Sequence, residues 1–244
     1  MSQPPQISFV TPVYNEEGAI ASMLANLHVV TQKHPEWNAE VILVEDGSKD
    51  NTRFVLQREV KKYPEMKLLI HEVNQGYVRS LKDGLAEAKG KYIMYVGADE
   101  EFDCSEIPNF VNILLSKGPD HADIVLGVRW QRNAYKLSRL FASVIYIFFL
   151  NSIFKLRIND YNWSQAWPRE LFEKIQLQSK SLFILPEILI KANDLGFKIR
   201  EIPSNHRGRQ HGKSSLNLKI MGHPFMEAVR FWKNRQAKNY SPSA

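Results

Sequence analysis

The chain has a single cysteine, Cys104, among 244 residues. A lone thiol excludes an intramolecular disulfide framework, and without a second cysteine nearby a thiolate zinc site is not expected. This usage suits a reducing compartment, so a cytoplasmic location is the expectation. Long hydrophobic runs are scarce too. The longest, "LFASVIYIFFLNSIF" from Leu140 to Phe154, is fifteen residues and is interrupted by Ser143, Asn151 and Ser152. A bilayer span takes roughly 20 apolar residues, so this run reads as a buried or interfacial helix. The opening "MSQPPQISFVTPVYNE" lacks a basic stretch followed by an apolar one, so no signal peptide is expected. There is no internal repeat.

Neither sign of charge dominates: 32 Lys and Arg stand against 26 Asp and Glu, a net +6. That balance argues against a protein that coats nucleic acid. The surplus is local. From Lys198 to Lys238 the chain carries Arg200, Arg207, Arg209, Lys213, Lys219, Arg230, Lys233 and Arg235 with few acids. Such a run suits phosphate groups, an anionic membrane surface or a plain solvated face. With 44% hydrophobic and 24% charged residues, the chain can bury one sizeable core.

The first half alternates two kinds of segment. "ISFVTPV", "EVILVED", "KLLIHEV", "YIMYVG" and "ADIVLGV" are short apolar runs, and helical stretches are predicted between them over about 17–34, 50–63, 76–90 and 105–118. This pattern indicates a mainly parallel sheet, helix-covered on both faces and wound by right-handed crossovers. The second half is less regular. It contains the helix over Leu140 to Phe154, a polar-aromatic segment "NDYNWSQAWPRE", a helix around "FILPEILIKANDLG", a strand "FKIREIP", a basic loop "NHRGRQHGKSS" and an amphipathic helix from Leu216.

In open α/β sheets, ligands bind beyond the carboxyl ends of the strands. Those junctions read "YNEEG", "EDGSKDNT", "NQGYVRS" and "GADEE". Asn15, Ser48, Asp50 and Ser105 suit helix N-caps. Capping does not require Glu45, Asp46, Asp99 and Glu101 to gather at one edge, because uncompensated carboxylates repel. Asp99 and Glu101 alternate along an extended segment, so both can reach one point. Hard oxygen ligands of this kind suit Mg²⁺ or Mn²⁺ completed by phosphate oxygens. His206 and His211, with no acidic or cysteine partner at metal spacing, read as surface histidines. Trp163 and Trp167 suit either sugar stacking or burial.

"TPVYNEE", "VEDGSKDNT", "NQGYVRSLKDGL" and "GADEE", in that order, resemble the nucleotide-sugar-binding half of a family-2 glycosyltransferase with the GT-A fold. "GVRW", "KLSRLFAS", "FILPEILIKANDLGFKIREIP" and "HRGRQHGKSS" are similar to the polyprenyl-phosphate sugar transferases, the dolichol-phosphate mannosyltransferase group. The resemblance implies a domain over 6–216, with a nucleotide-sugar half at 6–130 and an acceptor half at 131–216. A helix and tail over 217–244 would follow. It implies that Pro12, Tyr14, Glu16, Asp46, Gly76 and Ala98 line the nucleotide pocket, and that Asp99 with Glu101 binds the metal. Arg129 would approach a donor or acceptor phosphate. Arg139 and Ser143 would face the lipid phosphate, and Arg209 with Ser214 would close over it, Arg being suited to bidentate phosphate contact. The implied catalytic set is Asp99, Arg129, Arg139 and Arg209. The implied partners are a nucleotide-sugar donor, a polyprenyl phosphate and, peripherally, a membrane.

Two departures mark the chain. Gly97 stands where the family's metal motif often begins with Asp. After Asp160, relatives usually carry a small Gly-containing stretch ending in a Phe-Arg or Leu-Arg pair, and Ala166 falls about where that arginine would be. Two other outcomes follow from these departures. One is transfer to a glycan or protein hydroxyl, for which Asp160 and Glu187 are the candidate bases. The other is a degenerate nucleotide-sugar-binding subunit.

Overall fold

The computed structural model describes residues 4–130, 137–209 and 222–236, apart from the side chains of residues 137–139. Seven strands form one sheet: β1 (Ile7–Val13), β2 (Glu40–Asp46), β3 (Met66–His71), β4 (Tyr92–Tyr95), β5 (Ile124–Arg129), β6 (Gln165–Pro168) and β7 (Ile199–Ser204). Their order across the sheet is β3-β2-β1-β4-β6-β5-β7. β1 pairs in parallel with β2 and β4, β2 with β3, and β5 with β7. The helices are α1 (Ile20–Lys33), α2 (Thr52–Glu59), α3 (Tyr77–Glu87), α4 (Ile107–Leu115), α5 (Leu137–Phe154), α6 (Arg169–Lys174), α7 (Ile184–Asp194) and α8 (Gly222–Arg235).

β1, β2 and β4 are buried on both faces, which is why their sequences are continuous apolar runs. Alternate residues feed two cores. Phe9, Val41, Leu43 and Met94 pack with α1 and α4, whereas Val10, Ile42, Val44 and Ile93 pack with α3, α5, α7 and α8. The second core includes Phe231 of α8, which meets Phe154 and Phe183 ring to ring.

β6 corrects the sequence reading of "NDYNWSQAWPRE" as irregular. This segment inserts antiparallel between β4 and β5, pairing Ala166 with both Met94 and Val125. At four residues ending in proline, the strand is too short to show a period of two. Ala166 is completely buried there, so position 166 brings no polar group to the molecular surface.

Candidate active site

The carboxyl ends of β1, β2 and β4 meet at one edge, and backbone-to-side-chain bonds tie their loops together. Asn15 N–H donates to Ser48 Oγ at 3.0 Å, and Lys49 N–H returns to Asn15 Oδ1 at 2.8 Å. Glu16 N–H donates to Thr52 Oγ1 at 2.7 Å. Asp50 turns back to accept from Thr52 N–H, while Asp103, not Ser105, caps the turn before α4 by accepting from Ser105 N–H. Three of the four residues expected to cap helices therefore serve otherwise: Ser105 is itself the capped residue, and Asn15 and Ser48 link the two loops to each other.

The crowd of acids is resolved by individual partners. Glu45 is fully buried and accepts from Ser48 N–H at 2.6 Å and Arg53 Nε at 2.7 Å. Asp46 accepts from Gln75 N–H and Gly76 N–H, both at 2.8 Å, and faces His71 Nδ1 at 2.8 Å. The other ring nitrogen of His71 lies 3.0 Å from Asp83. Asp46 thus fastens the turn that precedes α3 to the end of β2. Gly47 is required beside it: φ is +65°, and a Cβ would come within 2.5 Å of Asn74 N.

At the end of β4 the acids face the basic C-terminal loop. Arg207 N–H donates to the Glu101 carbonyl at 2.9 Å, and Phe102 bridges His206. Glu101 is buried with Oε2 3.2 Å from His206 Nε2, and the His206 side chain is only 2% exposed. His206 is therefore not a surface histidine; its sequence neighbours gave no sign of a partner 105 residues away. Arg209 contacts Glu16 and lies 3.9 Å from Asp99 Oδ2. Burial, against the pull of Arg209, holds the Glu16 carboxyl at about 7. Burial and then the neighbouring Glu101 raise Asp99 from its ordinary value. Excess negative charge at this point fits a cation, so Asp99 with adjacent Glu101 is a workable pair of oxygen ligands once phosphate oxygens complete the set. Among the described residues, no three His, Cys, Asp or Glu converge as a ready metal cage.

Pro12 and Tyr14 are half-buried at the end of β1, Gly76 precedes α3, and Ala98 is buried beside Asp99. Arg129 is committed elsewhere in this form. Its guanidinium grips Asp160 through two bonds of 2.6 and 2.7 Å and stacks on Trp163 at 4.8 Å. Both tryptophans are buried, with Trp163 donating to Ser204 and Trp167 to Gln165. Glu187 is also interior, accepting from Gln178 and Ser179 N–H beside buried Lys191. Ser143 is half-buried on α5. Arg139 begins the same helix with its side chain outside the described residues, and Ser214 and His211 lie outside them altogether.

The model of the family described as Glycosyl transferase family 2 matches residues 8–176. The chain belongs to this family. Among curated relatives it is similar to a dolichyl-phosphate beta-glucosyltransferase of Trichomonas vaginalis, 30% identical over 81% of this chain and 64% of that one. It is also similar to an undecaprenyl-phosphate 4-deoxy-4-formamido-L-arabinose transferase of Pseudomonas fluorescens, 27% identical over 86% and 60%. The chain thus spans less than two thirds of these relatives' length. Among solved structures, glucosyl-3-phosphoglycerate synthase of Mycobacterium tuberculosis, crystallised with uridine diphosphate, superposes with a TM-score of 0.71 at 18% identity, covering 95% of this chain and 80% of that one. The same synthase is also known with Mn²⁺ and uridine diphosphate together. This likeness establishes the GT-A fold.

Proposed function

We propose that this family-2 chain transfers a sugar from a nucleotide-sugar donor to a polyprenyl phosphate at the cytoplasmic face of a membrane. The observation that carries the reading is the state of the acids. Asp99 and Glu16 stand at the strand-end edge with a cation, Arg209, already between them. The two acids that could deprotonate a hydroxyl acceptor, Asp160 and Glu187, are both buried and bonded internally. A phosphate monoester needs no base, since it arrives ionised near neutral pH; it needs positioning and charge compensation. The named relatives that act on dolichyl and undecaprenyl phosphates support the same acceptor class.

Asp99 and Glu101 would hold a Mg²⁺ or Mn²⁺ ion, which when bound would neutralise charge on the departing diphosphate. The chain's own residues do the rest. Asp46, by fixing Gln75 and Gly76, shapes the nucleotide pocket that Pro12, Tyr14, Glu16 and Ala98 border. Arg209 brings a planar fork suited to phosphate oxygens. An oxygen of the acceptor phosphate attacks the anomeric carbon as the bond to the donor diphosphate breaks. The nucleoside diphosphate leaves with the electron pair, and the configuration at that carbon inverts.

Membrane contact is supported by α5 and α8. Phe141, Val144, Ile145 and Phe148 are exposed at positions i, i+3, i+4 and i+7 along α5. α8 packs beside them through Phe225, which meets Tyr146 and Phe149, and it exposes Met226 and Val229 near Arg230 and Lys233. An apolar stripe flanked by basic groups suits an anionic lipid surface. Among the described residues no helix is long and apolar enough to cross a membrane. A panel of radiolabelled nucleotide sugars incubated with a membrane extract tests the reading. Label is expected in the solvent-extractable lipid, abolished by a chelator. Label confined to soluble glycan or protein would select a hydroxyl acceptor instead.

A further inference from the structure

β3 stands at one end of the sheet order, paired among the described residues with β2 alone. An edge strand has an open side, so where it ends and the chain turns into α3 its placement depends on side chains. The turn carries the Gln75 and Gly76 N–H groups that Asp46 holds, and Gly76 sits at φ +89°, a backbone that other residues rarely adopt. His71, the last residue of β3, joins that holder to the helix. Its Nδ1 lies 2.8 Å from Asp46 Oδ1, and its Nε2 lies 3.0 Å from Asp83 Oδ2 on the second turn of α3. A carboxylate only accepts, so the proton in either contact comes from the ring.

The His71 side chain is 14% exposed, and Asp83 at its far end also accepts from Arg79 Nε at 2.7 Å. The main chain of His71 is fixed separately: Arg53 donates to its carbonyl at 2.6 Å and to Glu45 at 2.7 Å. Exchanging the ring therefore alters the link between Asp46 and α3 and leaves the strand end in place. Asp46 Oδ1 takes both Gln75 N–H and the imidazole, while Oδ2 takes Gly76 N–H. The ring thus sets how this buried carboxylate is turned toward the N–H groups that it holds.

We propose that His71 is a positioning residue for the nucleoside end of the donor: by bridging Asp46 to Asp83 it fixes the turn at Gln75 and Gly76 against α3, and nucleotide affinity depends on its Nδ1 contact. The inference rests on the glycosyltransferase reading. It goes beyond that reading by assigning nucleotide affinity to a residue of β3 that acts through Asp46.

The test is calorimetric titration of the full chain with Mn²⁺ present, using UDP, GDP, UDP-glucose and GDP-mannose, with a thermal melt of each variant. An asparagine amide stands about where Nδ1 does and a glutamine amide about where Nε2 does, so His71→Asn and His71→Gln each keep one contact. His71→Leu should weaken nucleotide binding about 5–10-fold, the scale of one lost hydrogen bond. His71→Asn should restore affinity to within about 2-fold of the wild type, whereas His71→Gln should stay near His71→Leu. The two amide variants should melt together, so that a split in affinity does not come from general loosening. Asp83→Ala leaves His71 in place and should weaken binding about 2–3-fold by freeing the ring to turn. Diphosphate and sugar nucleotide should lose alike, because the nucleoside end is common to both. Wild-type affinity in both His71→Leu and Asp83→Ala, or equal affinity in His71→Asn and His71→Gln, would overturn the inference while leaving the enzyme reading intact. Wild-type protein that binds none of the four nucleotides would instead overturn the enzyme reading, and this inference with it.

Discussion

At the donor edge, loops are held by carboxylates that accept backbone N–H groups: Glu45 holds Ser48, Asp46 holds Gln75 and Gly76, and Asp103 holds Ser105. On the α5–α8 side the cohesion is aromatic, with Phe154, Phe183 and Phe231 meeting ring to ring, Phe225 meeting Tyr146 and Phe149, and an apolar stripe left uncovered. The first arrangement fixes polar groups to within a hydrogen bond, as recognition of a charged, hydroxyl-rich donor requires. The second leaves the apolar surface on which the proposed membrane contact rests. The contrast implies that damage at the donor edge will show in catalysis and affinity. Damage on the other side will show in stability and membrane attachment.

The largest expected effect is at Asp99. Asp99→Asn should lower transfer about 10³-fold, the scale for losing a group that stabilises developing charge, with an unchanged melting temperature. Steady-state rates with saturating donor check this. Asp160→Ala should break the comparison in the opposite sense, because it removes the carboxylate that grips buried Arg129 through two bonds. A loss of about 3–5 kcal/mol is expected in denaturant unfolding. Replacing Ile145 and Phe148 together with Ser should weaken binding to anionic vesicles by roughly 100-fold, from about 1.5–3 kcal/mol per apolar side chain withdrawn from lipid, while donor affinity stays the same. Vesicle sedimentation reads this directly. Asp46→Asn should loosen the turn before α3 and raise the donor KM about 10-fold without an equal loss in kcat.

The smallest effect concerns Glu16. Its carboxyl holds a proton up to about pH 7 in the folded chain, against an ordinary value of 4.5. The folded state therefore binds more protons than the unfolded one between these values. Stability should fall as pH rises through that window and stay lower above it. Glu16→Gln removes the titration, so the decline between pH 5 and pH 7.5 should shrink by about 1 kcal/mol after allowance for solvent screening. Melting curves across that range measure it.

The gathering of acids at one edge was legible in the sequence, because each strand-end motif is local, but strand register does not place them: Asp99 and Glu101 flank Glu100 at φ +58° in a turn, not an extended segment. What could not be read was partnership across the chain. His206 meets Glu101 and Arg209 meets Glu16 over separations of 105 and 193 residues. His71 ends β3 with no spacing to mark it as a bridge between Asp46 and Asp83. β6 escaped notice because four residues carry no periodicity, and with it went the antiparallel step between β4 and β5. On the acceptor side, Arg129 read as a phosphate contact from its motif. Its bidentate hold on Asp160 depends on how β5 packs against the segment before β6.

The most direct test of the proposed acceptor chemistry offers the purified protein one radiolabelled donor, selected from the panel, with either polyprenyl phosphate or the corresponding polyprenol in the same detergent. An ionised phosphate acceptor that needs no base predicts label in the lipid phase with polyprenyl phosphate and none with polyprenol. Equal labelling of both lipids, or labelling of soluble acceptors alone, would contradict it.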